Sequence, residues 1–154
     1  MKSEELSHFR DILRQMQRSL GWLAKSDAAC CGVTVSQCHA LLEIGKTGTI
    51  TLIDLAAALA LDTSTISRTV DSMVKDDLVE RKADPDDRRY LRLTLTKKGQ
   101  NIYDEINCTF NLYYKEIFTG IPEDKHAAII ESIEILTNAL TDKNNVCCRE
   151  ELHK

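Results

Sequence analysis

No apolar run approaches the roughly 20 residues that a membrane-spanning helix requires, so no membrane partner is expected. The chain contains no Gly-rich phosphate loop, no nucleophile elbow and no HExxH motif. Its four histidines, His8, His39, His126 and His153, pair with no acid at catalytic spacing, so nothing points to an enzyme. The opening MKSEELSHFRDIL is charged and amphipathic and does not have the pattern of an export signal. A cytoplasmic protein is therefore expected. Prolines number only two, and no internal repeat or low-complexity segment occurs.

What is present fits one compact domain. At 154 residues, 43% hydrophobic and 29% charged, the chain is long enough to bury a core. Its net charge of −4 argues mildly against nucleic acid, but local basic patches set that footprint. Between Arg88 and Lys98 stand five bases (Arg88, Arg89, Arg92, Lys97, Lys98) and no acid.

Apolar spacing divides the chain. Leu6, Phe9, Leu13, Met16, Leu20 and Leu23 recur at steps of three and four, predicting a first helix over about 3–25 with a helix-packing seam. T-V-S-Q at Thr34 has the capping-box spacing and opens a second helix, ending near Gly45. TLIDLAAALAL and DTSTISRTVDSMVKDD then read as two amphipathic helices around a tight turn. In the second of these, Asp62 is the cap, Ile66, Val70, Met73 and Val74 face inward, and Thr63, Ser64, Ser67 and Arg68 face out. LVERKADPDDRRYLRLTL follows as a hairpin around an Asp/Pro-rich turn. Thr96 caps a long helix to about Phe118, Thr119-Gly120-Ile121-Pro122 breaks it, and Ile129, Ile133, Leu136 and Leu140 mark a last helix. A helix bearing short hydroxyls and one arginine near its N-terminus can enter a major groove.

The stretches LAAALALDTSTISRTVDSMVKDDLVER and DPDDRRYLRLTLTKKG resemble the winged helix-turn-helix of the MarR (multiple-antibiotic-resistance regulator) family. The resemblance implies a mainly α fold with a small β-hairpin wing, as one domain over 1–154. Residues 46–96 form the DNA-binding region, 1–45 and 97–142 the dimerisation helices, and 143–154 a flexible tail. It further implies a homodimer presenting two recognition helices to a palindromic double-stranded operator, with release by an effector. Thr63, Ser64, Ser67 and Arg68 are the expected groove contacts, Arg68 reading guanine and the hydroxyls touching phosphates or bases. In the wing, Asp86 holds Arg88 for the minor groove, with Arg89 beside it; the plain alternative is a turn whose charges neutralise one another. Lys97 and Lys98 lie near the DNA backbone or simply face solvent. Ala60 departs from relatives that carry Gly there, and a slightly remodelled turn is expected.

Six cysteines remain: Cys30, Cys31, Cys38, Cys108, Cys147 and Cys148. Without an export signal a disulfide framework is not expected, and soft-metal or redox sensing fits better. Cys38 and Cys108 have packing roles available to them, since cysteine is often a small buried hydrophobe. The adjacent pairs have none; Cys30–Cys31 in a loop, with Cys38 as the nearest third thiol and His39 as an optional ligand, suits arsenite, antimonite, Cu, Cd or Zn. No cofactor is required. The alternatives are a small aromatic ligand near Trp22, His39, Tyr113 and Tyr114, an oxidant, or a winged-helix interaction module that does not bind DNA.

Overall fold

The computed structural model describes the backbone of residues 2–30, 32–84 and 91–145, and the side chains of these apart from 21–30 and 142–145. Six α-helices and three short strands are described: α1 (Ser3–Cys30), α2 (Val35–Thr47), β1 (Ile50–Thr51), α3 (Leu52–Ala58), α4 (Thr63–Lys75), β2 (Val79–Ala83), β3 (Leu91–Leu95), α5 (Lys97–Thr119) and α6 (His126–Asn145), the last preceded by a 3-10 turn over Glu123–Lys125. The chain divides into two units, Met1–Thr109 and Phe110–Lys154. Among the described residues no helix is long and apolar enough to cross a membrane.

In the first unit the core lies under α4. Leu41 and Ile44 of α2, Leu55 of α3, Ile66, Val70 and Met73 of α4, Leu93 of β3 and Ile106 of α5 are fully buried. The strand order is β1-β3-β2, all antiparallel, with Val79 opposite Leu95, Arg81 opposite Leu93 and Ala83 opposite Leu91. β1, which the sequence reading did not anticipate, sets Ile50 against Leu93. Two residues are too few to leave a period-2 signal.

Several boundaries differ from those expected. α1 runs five residues past Lys25, because Ala28 and Ala29 favour helix, and it takes Cys30 out of the expected loop. α2 passes Gly45 and stops at Gly48, whose φ of 73° suits only a residue without a Cβ. Gly45 serves packing instead: a Cβ there would overlap the ring of Tyr103. The capping box of α2 forms as expected, Gln37 N donating to Thr34 Oγ1 (3.2 Å) and Thr34 N to Gln37 Oε1 (2.8 Å).

In the second unit His126 fastens the break between helices. Its Nε2 lies 3.1 Å from the Phe118 carbonyl and 2.9 Å from that of Ile121, and its ring meets Phe118 edge-on at 4.8 Å. α6 continues to Asn145, three residues into the stretch expected as a tail.

Candidate nucleic-acid interface

α4 owes its outward face to a strong start and a narrow apolar stripe. Asp62 caps it, accepting Thr65 N (2.8 Å), Thr65 Oγ1 (2.6 Å) and Ser64 Oγ (2.5 Å). These three bonds, that from the Ser64 hydroxyl foremost, hold the Asp62 carboxyl well below the usual carboxylate range. Ile66, Val70 and Met73 fix the inner face, leaving Thr63, Ser64 and Arg68 exposed and Ser67 half-buried. Val74, expected inward, is 39% exposed. It lies about 80° round the helix from Ile66, on the flank of the stripe.

Both helices of this pair end the same way. Leu61 N donates to Ala56 O (3.0 Å) and Ala60 N to Ala57 O (3.1 Å); Leu78 N donates to Met73 O (2.8 Å) and Asp77 N to Val74 O (3.1 Å). Each is a Schellman ending, which needs a left-handed residue at its corner. Ala60 (φ 52°) and Asp77 (φ 59°) occupy those corners. The turn expected to be remodelled is therefore kept, and Ala60 takes up the strain. Asp tolerates this region better than Ala does.

The wing is tied to the recognition helix at its base. Asp71 of α4 pairs with Arg81 of β2 (2.6 Å), and Asp84, only 7% exposed, pairs with Arg92 of β3 (2.5 Å). Lys82 pairs with Glu80 (2.6 Å) and Thr94 donates to the same carboxylate (3.2 Å); both bonds lower the Glu80 pKa, Lys82 more. Asp86, Arg88 and Arg89, expected at the tip, lie outside the described residues. Two of the five bases counted as a phosphate patch have internal partners, a correction to the sequence reading. Arg92 holds Asp84, and Lys98 Nζ donates to the Asp76 carbonyl (2.8 Å), closing the C-terminus of α4. Arg68, by contrast, makes no hydrogen bond or ion pair among the described residues.

Beneath the C-terminal end of α4 opens a cavity of about 310 Å³, lined by Gly32, Val33, Gln37, Asp76, Leu78, Lys98 and Ile102. Gln37, a capping residue in sequence, also donates its amide to Ser72 Oγ (3.3 Å) and Asp76 Oδ2 (3.2 Å) of α4. This link was missed; its one sequence signal was a capping-box glutamine on the buried face of α2.

The thiols are less assembled than expected. Cys38 is 3% exposed within the core, Cys108 is exposed on α5, and His39 faces solvent. Cys30 ends α1 with its side chain outside the description, and Cys31, Cys147 and Cys148 lie outside the described residues. Among the described residues no group of three or more His, Cys, Asp or Glu side chains is placed to hold a metal ion. Of the aromatics expected to line a ligand pocket, Tyr113 and Tyr114 meet edge-on at 5.6 Å, and Trp22 is not among the described side chains.

Two helices joined by a tight turn, followed by a hairpin braced against the second helix, define a winged helix-turn-helix. The MarR family model matches residues 33–91, from the start of α2 to the start of β3. Over that stretch the chain matches the MarR family of DNA-binding transcriptional regulators, whose members are not enzymes. It is 26% identical over 146 residues to the "Uncharacterized HTH-type transcriptional regulator YsmB" of Bacillus subtilis (strain 168), covering 93% of this chain and 100% of that protein. A MarR family protein from Bacillus stearothermophilus superposes with a TM-score of 0.82 at 20% identity, covering 92% of this chain and 99% of the other. Streptococcus pneumoniae FabT, solved in complex with DNA, superposes at 0.78 with 20% identity, covering 89% and 98%.

Proposed function

We propose that the protein is a homodimeric repressor of the cytoplasm that grips a palindromic operator with two winged heads and is released by an effector. The observation that carries this reading is the uncommitted outer face of α4, Thr63, Ser67 and Arg68, on a helix whose cap, inner face and wing contacts are all satisfied. Arg68 reads a guanine edge, and Arg88, held by Asp86 and flanked by Arg89, enters the neighbouring minor groove. Large apolar side chains left exposed in the single chain support the dimer: Leu6, Phe9, Met16 and Leu20 on α1, Leu112 and Ile117 on α5, Ile133 and Leu140 on α6. A symmetric pair presents its recognition helices about 34 Å apart, one turn of the duplex.

The effector acts on that spacing by binding the DNA-incompetent arrangement more tightly; a coupling of about 1–3 kcal/mol weakens operator affinity roughly 5- to 150-fold. A soft metal or metalloid held by Cys30 and Cys31 is the preferred trigger. Cys30 lies two residues before Gly32, which lines the cavity reached by Gln37, Asp76 and Lys98 at the end of α4. Cys38, Cys108, Cys147 and Cys148 are the candidates for a third thiolate. The apolar part of the same cavity's lining, Val33, Leu78 and Ile102, favours, as a second reading, a small aromatic ligand.

A mobility shift of the protein's own upstream region, with arsenite, antimonite, zinc, copper, peroxide and salicylate titrated in turn, tests all of this. The expected result is a shifted band released by arsenite or antimonite in the native protein but not in Cys30→Ser/Cys31→Ser. Release that persists in the double variant eliminates the thiol trigger. Release by salicylate alone selects the aromatic ligand, and no shift at all leaves an interaction module that does not bind DNA.

A further inference from the structure

We propose that Asp62 is a specificity-determining residue: by accepting the Ser64 hydroxyl's hydrogen bond, it obliges Ser64 to read an exocyclic amino group, of adenine or cytosine, in the major groove. The inference rests on the reading that α4 lies in that groove.

A serine hydroxyl has one proton to give and two lone pairs to offer. The Ser64 hydroxyl donates to Asp62 Oδ1 (2.5 Å), and the Thr65 hydroxyl donates to Oδ2 (2.6 Å). An ionised carboxylate only accepts, so the direction of both bonds is set. The same bonds depress the Asp62 carboxyl, which therefore remains ionised wherever duplex DNA is stable. Ser64 is exposed, and only its lone pairs are left for a ligand.

That excludes phosphate. Phosphate oxygens accept and have no proton to give Ser64. The Asp62 carboxylate also stands at the helix N-terminus, where an anion would otherwise bind, and repels it. On the major-groove edge only adenine N6 and cytosine N4 donate. Thr63 and Ser67, which make no side-chain hydrogen bond among the described residues, keep their protons for phosphates. The hydroxyls that the sequence groups together thus divide into two kinds: Ser64 as an acceptor facing bases, Thr63 and Ser67 as donors facing the backbone.

The experiment uses the full chain and a site selected from a randomised duplex pool. Within that site each adenine is replaced singly by purine, which lacks the 6-amino group, and each cytosine by 2-pyrimidinone, which lacks the 4-amino group. One position per half-site is expected to weaken the native protein about fivefold, the worth of one hydrogen bond. Ser64→Ala, which removes the contact in both half-sites and is already about 25-fold weaker on the unmodified site, loses nothing further there. Asp62→Gly removes the acceptor and so frees the Ser64 hydroxyl to donate, and glycine is tolerated at a helix cap. Its reselected site then tolerates guanine or thymine at that position. An unchanged unfolding midpoint in both variants keeps the comparison clean. Native protein that binds its selected site, yet matches Ser64→Ala at every analogue, overturns the proposal. So does phosphate-ethylation interference that disappears in Ser64→Ala. A pool from which no sequence is enriched overturns the reading of α4 itself, and the inference with it.

Discussion

Gly99→Ala sets two physical effects against each other. On helix propensity alone the change stabilises α5 by up to about 1 kcal/mol. Yet Gly99 is buried at the third residue of α5, and a Cβ there would overlap the carbonyl oxygen of Leu78 and lie 2.9 Å from its carbon. Both obstacles are backbone, so no side chain can swing aside. The Leu78 carbonyl also accepts Thr96 N (3.1 Å), and Thr96 caps α5 through Gly99 N (3.0 Å) while donating to the Asp77 carbonyl (2.6 Å). Moving α5 far enough to admit a methyl group strains these bonds together with the Lys98 bond to Asp76 (2.8 Å). Overpacking costs about 1–3 kcal/mol, and each weakened hydrogen bond adds about 0.5–1.5 kcal/mol. After the propensity gain, the net is a loss of about 3 kcal/mol. For a chain of this size that lowers the unfolding midpoint by about 6–12 °C. Thermal unfolding followed by circular dichroism measures it, with native and variant at one protein concentration because a dimer's midpoint depends on it. A midpoint equal to or above the native one would refute the reasoning and show that α5 shifts without penalty.

Ala60→Gly should raise stability by about 0.5–1 kcal/mol, because relief of a left-handed alanine (about 1–2 kcal/mol) exceeds the unfolded-state freedom that glycine adds (about 0.4–1 kcal/mol); a lower denaturation midpoint would contradict the strain. Asp62→Ala removes the cap of α4, and the depressed carboxyl gives that loss a pH signature. The native advantage is full above about pH 3.8, the ordinary value of the group, and shrinks as pH falls further towards its lowered folded value. Parallel urea titrations down to pH 2 check this, and an advantage that is flat with pH would remove the charge from the cap's role. On the proposed reading of Arg88 as a minor-groove contact, Arg88→Ala should weaken operator binding more than tenfold at moderate salt while leaving thermal unfolding unchanged; equal affinities by fluorescence anisotropy would take the wing tip out of the mechanism.

Local signals were legible in the sequence, and long-range partner choices were not. D-T-S-T and T-V-S-Q announce their caps because donor and acceptor sit within one turn of helix, and both caps are found. The inner faces of α3 and α4 follow from three- and four-residue spacing in the same way. The fates of the bases do not. Arg81 finds Asp71 ten residues away, and Lys98 finds a carbonyl twenty-two residues away. Both pairings exist only once the helices and sheet have packed. Gln37 shows the same limit: its local bond to Thr34 is written in the motif, whereas its reach to Ser72 and Asp76 depends on where α4 ends. At Ala60 the sequence points to a remodelled turn, whereas the Schellman bonds around it outweigh a conformational cost of about 1–2 kcal/mol.

The sheet's two margins bear on how copies of this chain can meet. A strand at the edge of a sheet is a template for another strand, and proteins blunt it with charge or brevity. Here one margin is β1, two residues long before Thr51 turns the backbone into α3. The other is β2, whose middle reads Glu80-Arg81-Lys82, three consecutive charges along the open side. A neighbouring copy paired antiparallel with β2 about Arg81 would set the two arginines directly against each other. Self-association through main-chain pairing is thereby discouraged, and the exposed apolar helices are left as the surfaces through which copies can join. Contacts between helices related by a two-fold axis close on themselves, whereas strand addition can propagate without end. The charged hairpin edge thus guards against filament growth in a protein that leaves so much apolar surface uncovered in its single chain.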